Sequence, residues 1–170
     1  MKHRCAGLLA LLLSTAALAQ EPADLDSIRR LAENGDRATA LAKLDQAIAS
    51  NENDIQARFL KGLLLSEQGD THGAEEVFSD IVRRYPRLPE AYNNLAVLYA
   101  GEGEYEKARG ALLSAIGNAP DYPGVRANLG DLYVKMAADA YRKALELNPA
   151  DQASQAKLKV LEQLFGGSGG

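Results

Sequence analysis

Glycines, alanines and large apolar residues return along this chain at a fixed step of 34 residues, and no other feature restricts its fold as tightly. Gly62, Ala96 and Gly130 form one such series, and Leu31, Leu65, Tyr99 and Tyr133 form another. Gly35, Gly69 and Gly103 keep the step, as do Ala40, Ala74 and Ala108, then Leu44, Phe78 and Leu112, then Ala47, Ile81 and Ala115. Pro86 and Pro120 close two consecutive units. A unit of this size cannot bury its apolar face alone, so neighbouring units must stack into one continuous core.

The unit from Pro89 to Tyr122 is the most complete. Leucine, valine and tyrosine at helical spacing predict a first helix over Tyr92 to Ala100. Gly103 ends it, because glycine enters the left-handed conformation without steric cost. A second helix begins near Tyr105, carries Ala108, Leu112 and Ala115 on one face, and stops before Pro120. Ala96 and Ala108 are small because two antiparallel helices joined by so short a turn must approach closely. With these offsets the chain resembles the tetratricopeptide repeat family over about residues 22 to 149. The resemblance implies an all-α fold, a solenoid of helix-turn-helix repeats.

The repeats divide as 21–54, 55–88, 89–122 and 123–149. The first is degenerate, with Asp24 at the large-residue position and Glu52 where a closing proline belongs, and it reads as a terminal cap. The second carries Arg58 in place of the aromatic and Lys61 in place of leucine. Phe59 and Leu60 are expected to supply the missing packing through a small rotation of the helix.

The fourth repeat breaks the spacing. Counting back from Pro149, its second-helix positions are Ala137, Tyr141 and Ala144. Tyr133 to Ala137 is 4 residues where Tyr99 to Ala108 is 9, so the five residues of the turn are absent. The sequence therefore predicts one helix from about Val125 to Leu147, with Leu129, Leu132, Tyr133, Met136, Ala140, Tyr141 and Ala144 along one stripe. A half-repeat that cannot fold back leaves apolar surface to be covered. Either a terminal helix over 153–165, with Leu158, Leu161 and Phe165 on one face, covers it, or the long helix exchanges between two chains or docks on a partner. Residues 166–170 read as a flexible tail.

At the other end, Lys2, His3 and Arg4 precede an apolar run from Cys5 to Ala19 that closes on Ala17-Leu18-Ala19. This is the pattern of a secretory signal peptide, residues 1–19, cut before Gln20, and it predicts a periplasmic or secreted protein. The apolar run is short for a membrane span, so no stable span is expected after cleavage. Cleavage removes the single cysteine, leaving stability to packing between repeats. It also removes Lys2 and Arg4, which moves the formal charge from −4 to −6 and disfavours nucleic acid as a partner.

No catalytic, cofactor or metal site is expected. His72 has no second histidine near it, and no Ser, Cys or Thr stands in a recognisable nucleophile signature. Glu75-Glu76 and Glu102-Glu104 read as solvated surface, and Gly101-Glu102-Gly103 lacks the strand and the basic residue of a phosphate loop.

The resemblance further implies a right-handed superhelix whose concave wall is built from the first helix of each repeat. Carried over position by position, the inward residues are Leu25 and Arg29, then Phe59, Leu63 and Ser66, then Asn93, Asn94, Val97 and Ala100, and finally Ala127 and Asp131. Phe59 has two readings: a groove residue beside Leu63, or a core residue replacing the aromatic missing at Arg58. Some members of the family grip a peptide's terminal carboxylate with lysines, an arginine and asparagines. Here Asn94 matches one asparagine, but Phe59, Leu63, Gly124 and Asn128 stand at the remaining places, and no carboxylate clamp is expected. The function expected is a non-enzymatic protein-protein interaction scaffold in the periplasm, holding a protein or peptide partner of envelope assembly. The alternative is a structural homo-oligomer, a homodimer built through the helix over 125–147.

Overall fold

The computed structural model describes residues 24–166, with side chains as far as Gln163. The expected leader over 1–19 lies outside the described residues, as do residues 167–170 of the expected tail. Eight α-helices follow one another among the described residues: α1 (Leu25–Glu33), α2 (Arg37–Ser50), α3 (Ile55–Glu67), α4 (Thr71–Arg84), α5 (Pro89–Gly101), α6 (Tyr105–Asn118), α7 (Pro123–Leu147) and α8 (Gln152–Gly166). Each helix packs chiefly on its neighbours in sequence. The result is three antiparallel hairpins, then the single long helix α7 and the terminal helix α8.

The starts of α1 to α5 and of α7 follow two designs. Asp24, Asp36, Asp54 and Asp70 cap α1 to α4, each side chain accepting a hydrogen bond from a backbone N–H three residues on, at 2.9 to 3.2 Å. Asp24 thus stands at the head of α1 as its cap, which accounts for a polar residue where an aromatic was expected. In α5 and α7 the start is instead Pro89 and Pro123 at the first helical positions. Both helices therefore begin earlier than their apolar periodicity indicated, Pro89 against Tyr92 and Pro123 against Val125. Proline is pre-set for that position and needs no amide partner there.

The three hairpin turns share one geometry. Gly35, Gly69 and Gly103 have φ of 90°, 84° and 78°, and the N–H of the next residue reaches back to Leu31, Leu65 and Tyr99 at 2.9, 3.0 and 2.8 Å. This is the closing bond of a left-handed C-terminal cap. Behind the turns the helices meet on small residues: Ala40, Ala74 and Ala108 are 0% exposed. Leu44, Phe78 and Leu112 fill the space beside them. At Gly62 a Cβ would stand 2.8 Å from Cζ of Phe78, so the glycine is what admits the ring.

Polar links join helices both between and within repeats. The Tyr99 hydroxyl donates to Oε1 of Glu75 at 3.0 Å, and burial, then the Glu75 carboxylate, push the phenol above its ordinary value. Arg58 takes the aromatic's place by another route: Nη1 donates to Oδ2 of Asp80 at 3.2 Å, while Nε and Nη2 hold the Glu52 carbonyl at 3.0 and 2.8 Å. Asp80 also binds Arg83 and Arg84. Burial alone pushes the Asp80 carboxyl up, and the hydrogen bonds and charges of those two arginines more than reverse it, holding it below 3.8.

The long helix of the fourth repeat is unbroken from Pro123 to Leu147, as its missing turn requires. Its buried stripe differs from the expected one. Val125, Leu132 and Ala138 are buried, whereas Tyr133 is 49% exposed and Ala140 is exposed. The cause is that α7 packs on two neighbours at two levels. Val125, Leu129, Leu132 and Met136 join the cluster of α5 and α6. The second half meets α8 on another side: Lys157 lies 5.3 Å from the Tyr141 ring centre, and Arg142 reaches Glu162 at 3.5 Å. Asp151 caps α8 through the N–H of Ser154 at 3.2 Å and accepts from its hydroxyl at 2.6 Å. Leu158 and Leu161 are half-buried, while the Phe165 side chain lies outside the described ones. Gly166, placed in the tail by the sequence reading, is the last residue of α8.

Candidate protein-binding groove

Two clefts run along the wall made by the first helices. The larger, of about 560 Å³, is formed where α1 and α3 meet the start of α5. It gathers Leu25, Arg29, Phe59 and Leu63, which the sequence placed on one wall, and adds Asp26, Leu88 and Glu90. Phe59 satisfies both of its readings. Its ring meets Phe78 edge-on, with centres 5.4 Å apart at 73°, and its remaining surface lines the cleft.

Charge in this cleft is unevenly paired. Arg29 turns to Asp26 on its own helix, with Nη1 3.4 Å from Oδ1. Among the described residues Glu90 has no such counterpart, and its Oε2 is buried without a hydrogen-bond partner. A buried carboxylate oxygen left unpaired is costly. The sequence reading missed Glu90 because it started α5 at Tyr92. Pro89 followed by an acid is the ordinary signal of a helix's first turn, and it would have placed Glu90 on the same helix as Val97.

The second cleft, of about 270 Å³, lies between α5 and α7. Val97, 53% exposed, and Asp131 line it, together with Ala100, Asn128 and Lys135. Asn93 stands at its edge, where Nδ2 of Asn128 donates to its Oδ1 at 2.7 Å and ties α5 to α7. Asn94 does other work: its amide donates to the Glu90 carbonyl of its own helix at 2.8 Å. Ser66 and Ala127 line neither cleft. The two clefts differ in chemistry, the first apolar with a carboxylate at its side, the second smaller, with an apolar floor of Ala96, Val97, Leu112 and Leu132 and with Asp131 and Lys135 one turn apart at its edge.

The described helices include none long and apolar enough to cross a membrane. Comparison with known proteins places the architecture. The family model described as "Tetratricopeptide repeat" matches residues 25–89 and again 59–123. Human tetratricopeptide repeat protein 16 is 27% identical over 153 residues, which is 80% of this chain and 18% of that protein. Photosystem I assembly protein Ycf3 of Prochlorococcus marinus (strain NATL1A) is 28% identical over 98 residues, 56% of this chain and 57% of that one. Each relative is thus longer than the part this chain spans. Among solved structures, a crystal structure of MamA superposes with a TM-score of 0.60 at 20% identity, covering 82% of this chain and 84% of that one. A fragment of MamA from Desulfovibrio magneticus RS-1 gives 0.58 at 26% identity, covering 75% of each. Hairpins whose turns and small crossings recur every 34 residues, under a family match that runs from residue 25 to 123, make this chain a member of the tetratricopeptide repeat family.

Proposed function

We propose that the chain is an exported, non-enzymatic scaffold of the periplasm that holds a protein partner of envelope assembly along its concave wall. Arrays of this family generally mediate protein-protein interaction, and their fold is typically a non-catalytic scaffold. The observation that carries the finer reading is the cleft of Leu25, Phe59, Leu63 and Leu88 with the unpaired Glu90 oxygen at its side. Its complement is an extended or helical segment presenting an apolar side chain next to a lysine or arginine. The name of Ycf3 ties a similar array to assembly of a larger complex, which supports an assembly role. Export rests on the basic start, the apolar run and Ala17-Leu18-Ala19.

The test is photocrosslinking in the protein's own cells, from a reactive residue at Gln56 or Val97, with one at Lys107 of α6 as the control. A discrete heterologous adduct from the clefts and none from Lys107 is the expected result, with the Gln56 adduct weakened in a Glu90→Gln background. No adduct, or adducts of equal strength from Lys107, overturns the groove as the binding surface. Recovery of the protein from the cytoplasm with Met1 to Ala19 still attached overturns the export.

A further inference from the structure

In every complete repeat the first helix is covered by the second helix of the same repeat, and α7 is the exception. Gly62 receives the Phe78 ring, and Ala96 shares a buried cluster with Leu112. The 34-residue step carries that position to Gly130, where an added Cβ would meet nothing within 4 Å among the described residues. It carries Tyr99, bonded to Glu75, to Tyr133, which is 49% exposed. It carries Glu75 and Ser79, the α4 residues at the Tyr99 hydroxyl, to Arg109 and to Leu113, which is 44% exposed. Gly130, Tyr133 and Leu113 therefore mark a face where the pattern puts a helix.

The chain encodes that helix and keeps it out of its own reach. Ala137, Tyr141 and Ala144 take the places of Ala108, Leu112 and Ala115, counted from the closing Pro149. They sit further along α7 itself, and Gly130 and Tyr141 are separated by about 16 Å of unbroken helix. At about 100° per residue, Gly130, Tyr133, Ala137, Tyr141 and Ala144 share one stripe of α7, on the side away from Asn128, Asp131 and Lys135 of the groove. The stripe thus holds both the receiving residues and those to be received. Two such stripes complement each other when run antiparallel.

We infer that two copies of this chain pair through α7, antiparallel about a two-fold axis near Lys135 and Met136. Tyr141 of each copy covers Gly130 of the other, and Ala137 covers Tyr133. Residue sizes support the register. Glycine is matched with an aromatic in Gly62 and Phe78, alanine with leucine in Ala96 and Leu112, and Gly130 with Tyr141 repeats the first combination. The face also continues the row of second helices, in which α4 packs on α3 and α5, and α6 on α5 and α7. The second copy's helix takes the next place in that row. Helix α8 lies against its own α7 with Lys157 over one side of the half-buried Tyr141 ring, so the pair draws on the side of that ring that α8 leaves open. The pairing uses the side opposite the groove and stands whatever the groove holds.

Light scattering on the chain as its own cells make it, at two concentrations, tests this. The wild type is expected at the mass of two chains. Gly130→Leu is expected at the mass of one with helicity unchanged, because open space surrounds the Gly130 Cβ position among the described residues, while in the pair the leucine collides with Tyr141. A second variant inserts Ala-Gly-Glu-Gly-Glu, the sequence of residues 100–104, after Tyr133. It restores the hairpin turn, lets the half-repeat fold onto its own chain and gives one mass, which keeps the test decisive should Gly130→Leu lose helicity. A wild type of single-chain mass at both concentrations, or an inserted variant still at twice that mass, overturns the pairing.

Discussion

Gly62 and Phe78 are a matched pair, and their match sets the cost of changing either one. Gly62→Ala gains helix propensity but puts a methyl 2.8 Å from the ring, and a packed core resists such overfilling. A net loss of about 1 kcal/mol is expected in urea unfolding. Phe78→Leu costs on its own through the space it opens, while the double variant recreates the Ala96 and Leu112 combination and recovers part of both losses. Asp80 gives a second residue-scale expectation. Its folded carboxyl titrates below 3.8, so its contribution is present above that value and is lost as the pH falls through the folded pKa. Asp80→Asn therefore lowers stability at neutral pH and flattens the acid side of the curve, a difference that urea midpoints at pH 7 and below pH 3.8 measure directly.

At the scale of the element, the hairpin turns are the parts most sensitive to small changes. Gly103 holds φ of 78° with open space around it, so Gly103→Ala meets no clash and pays only for its backbone, about 1 kcal/mol by thermal or urea unfolding. Gly110, on the surface of α6, also has open space and an ordinary backbone, and alanine there stabilises by a comparable amount. Element boundaries were the part of the fold least legible in the sequence. Apolar periodicity marks where a helix starts to be buried, and α5 and α7 start a turn or less earlier, at prolines that carry no apolar signal. The stripe of α7 was misplaced for a related reason. One period describes a helix with one partner, and α7 changes partner from α6 to α8 partway along.

Over the whole molecule, stability is the sum of neighbouring contacts along a line, and the ends have half as many neighbours. Amide exchange is therefore expected to be slowest in α4, α5 and α6 and about tenfold or more faster in α1 and α8, read by mass spectrometry of the native chain. Uniform exchange across all eight helices would contradict a linear array. The architecture at this scale was the most legible, because one period held at six independent positions fixes helix count, hairpin order and turn glycines together. The groove was legible in part. Leu25, Arg29, Phe59 and Leu63 do converge, since their wall follows from the period. The contribution of Glu90 was not, because it comes from a helix whose start was misread and from a cleft shared by residues far apart in sequence.

The missing turn after Tyr133 also governs how a chain of this design can change length. A 34-residue unit duplicated anywhere before Pro123 arrives with its own glycine turn and both helices, and its neighbours meet the same surfaces as before. The same duplication placed after Leu147 would follow a half-repeat that lacks its own turn, five residues out of phase, and would displace α8 from the end of α7. A further 34-residue unit is thereby accommodated more readily before Pro123 than directly after α7.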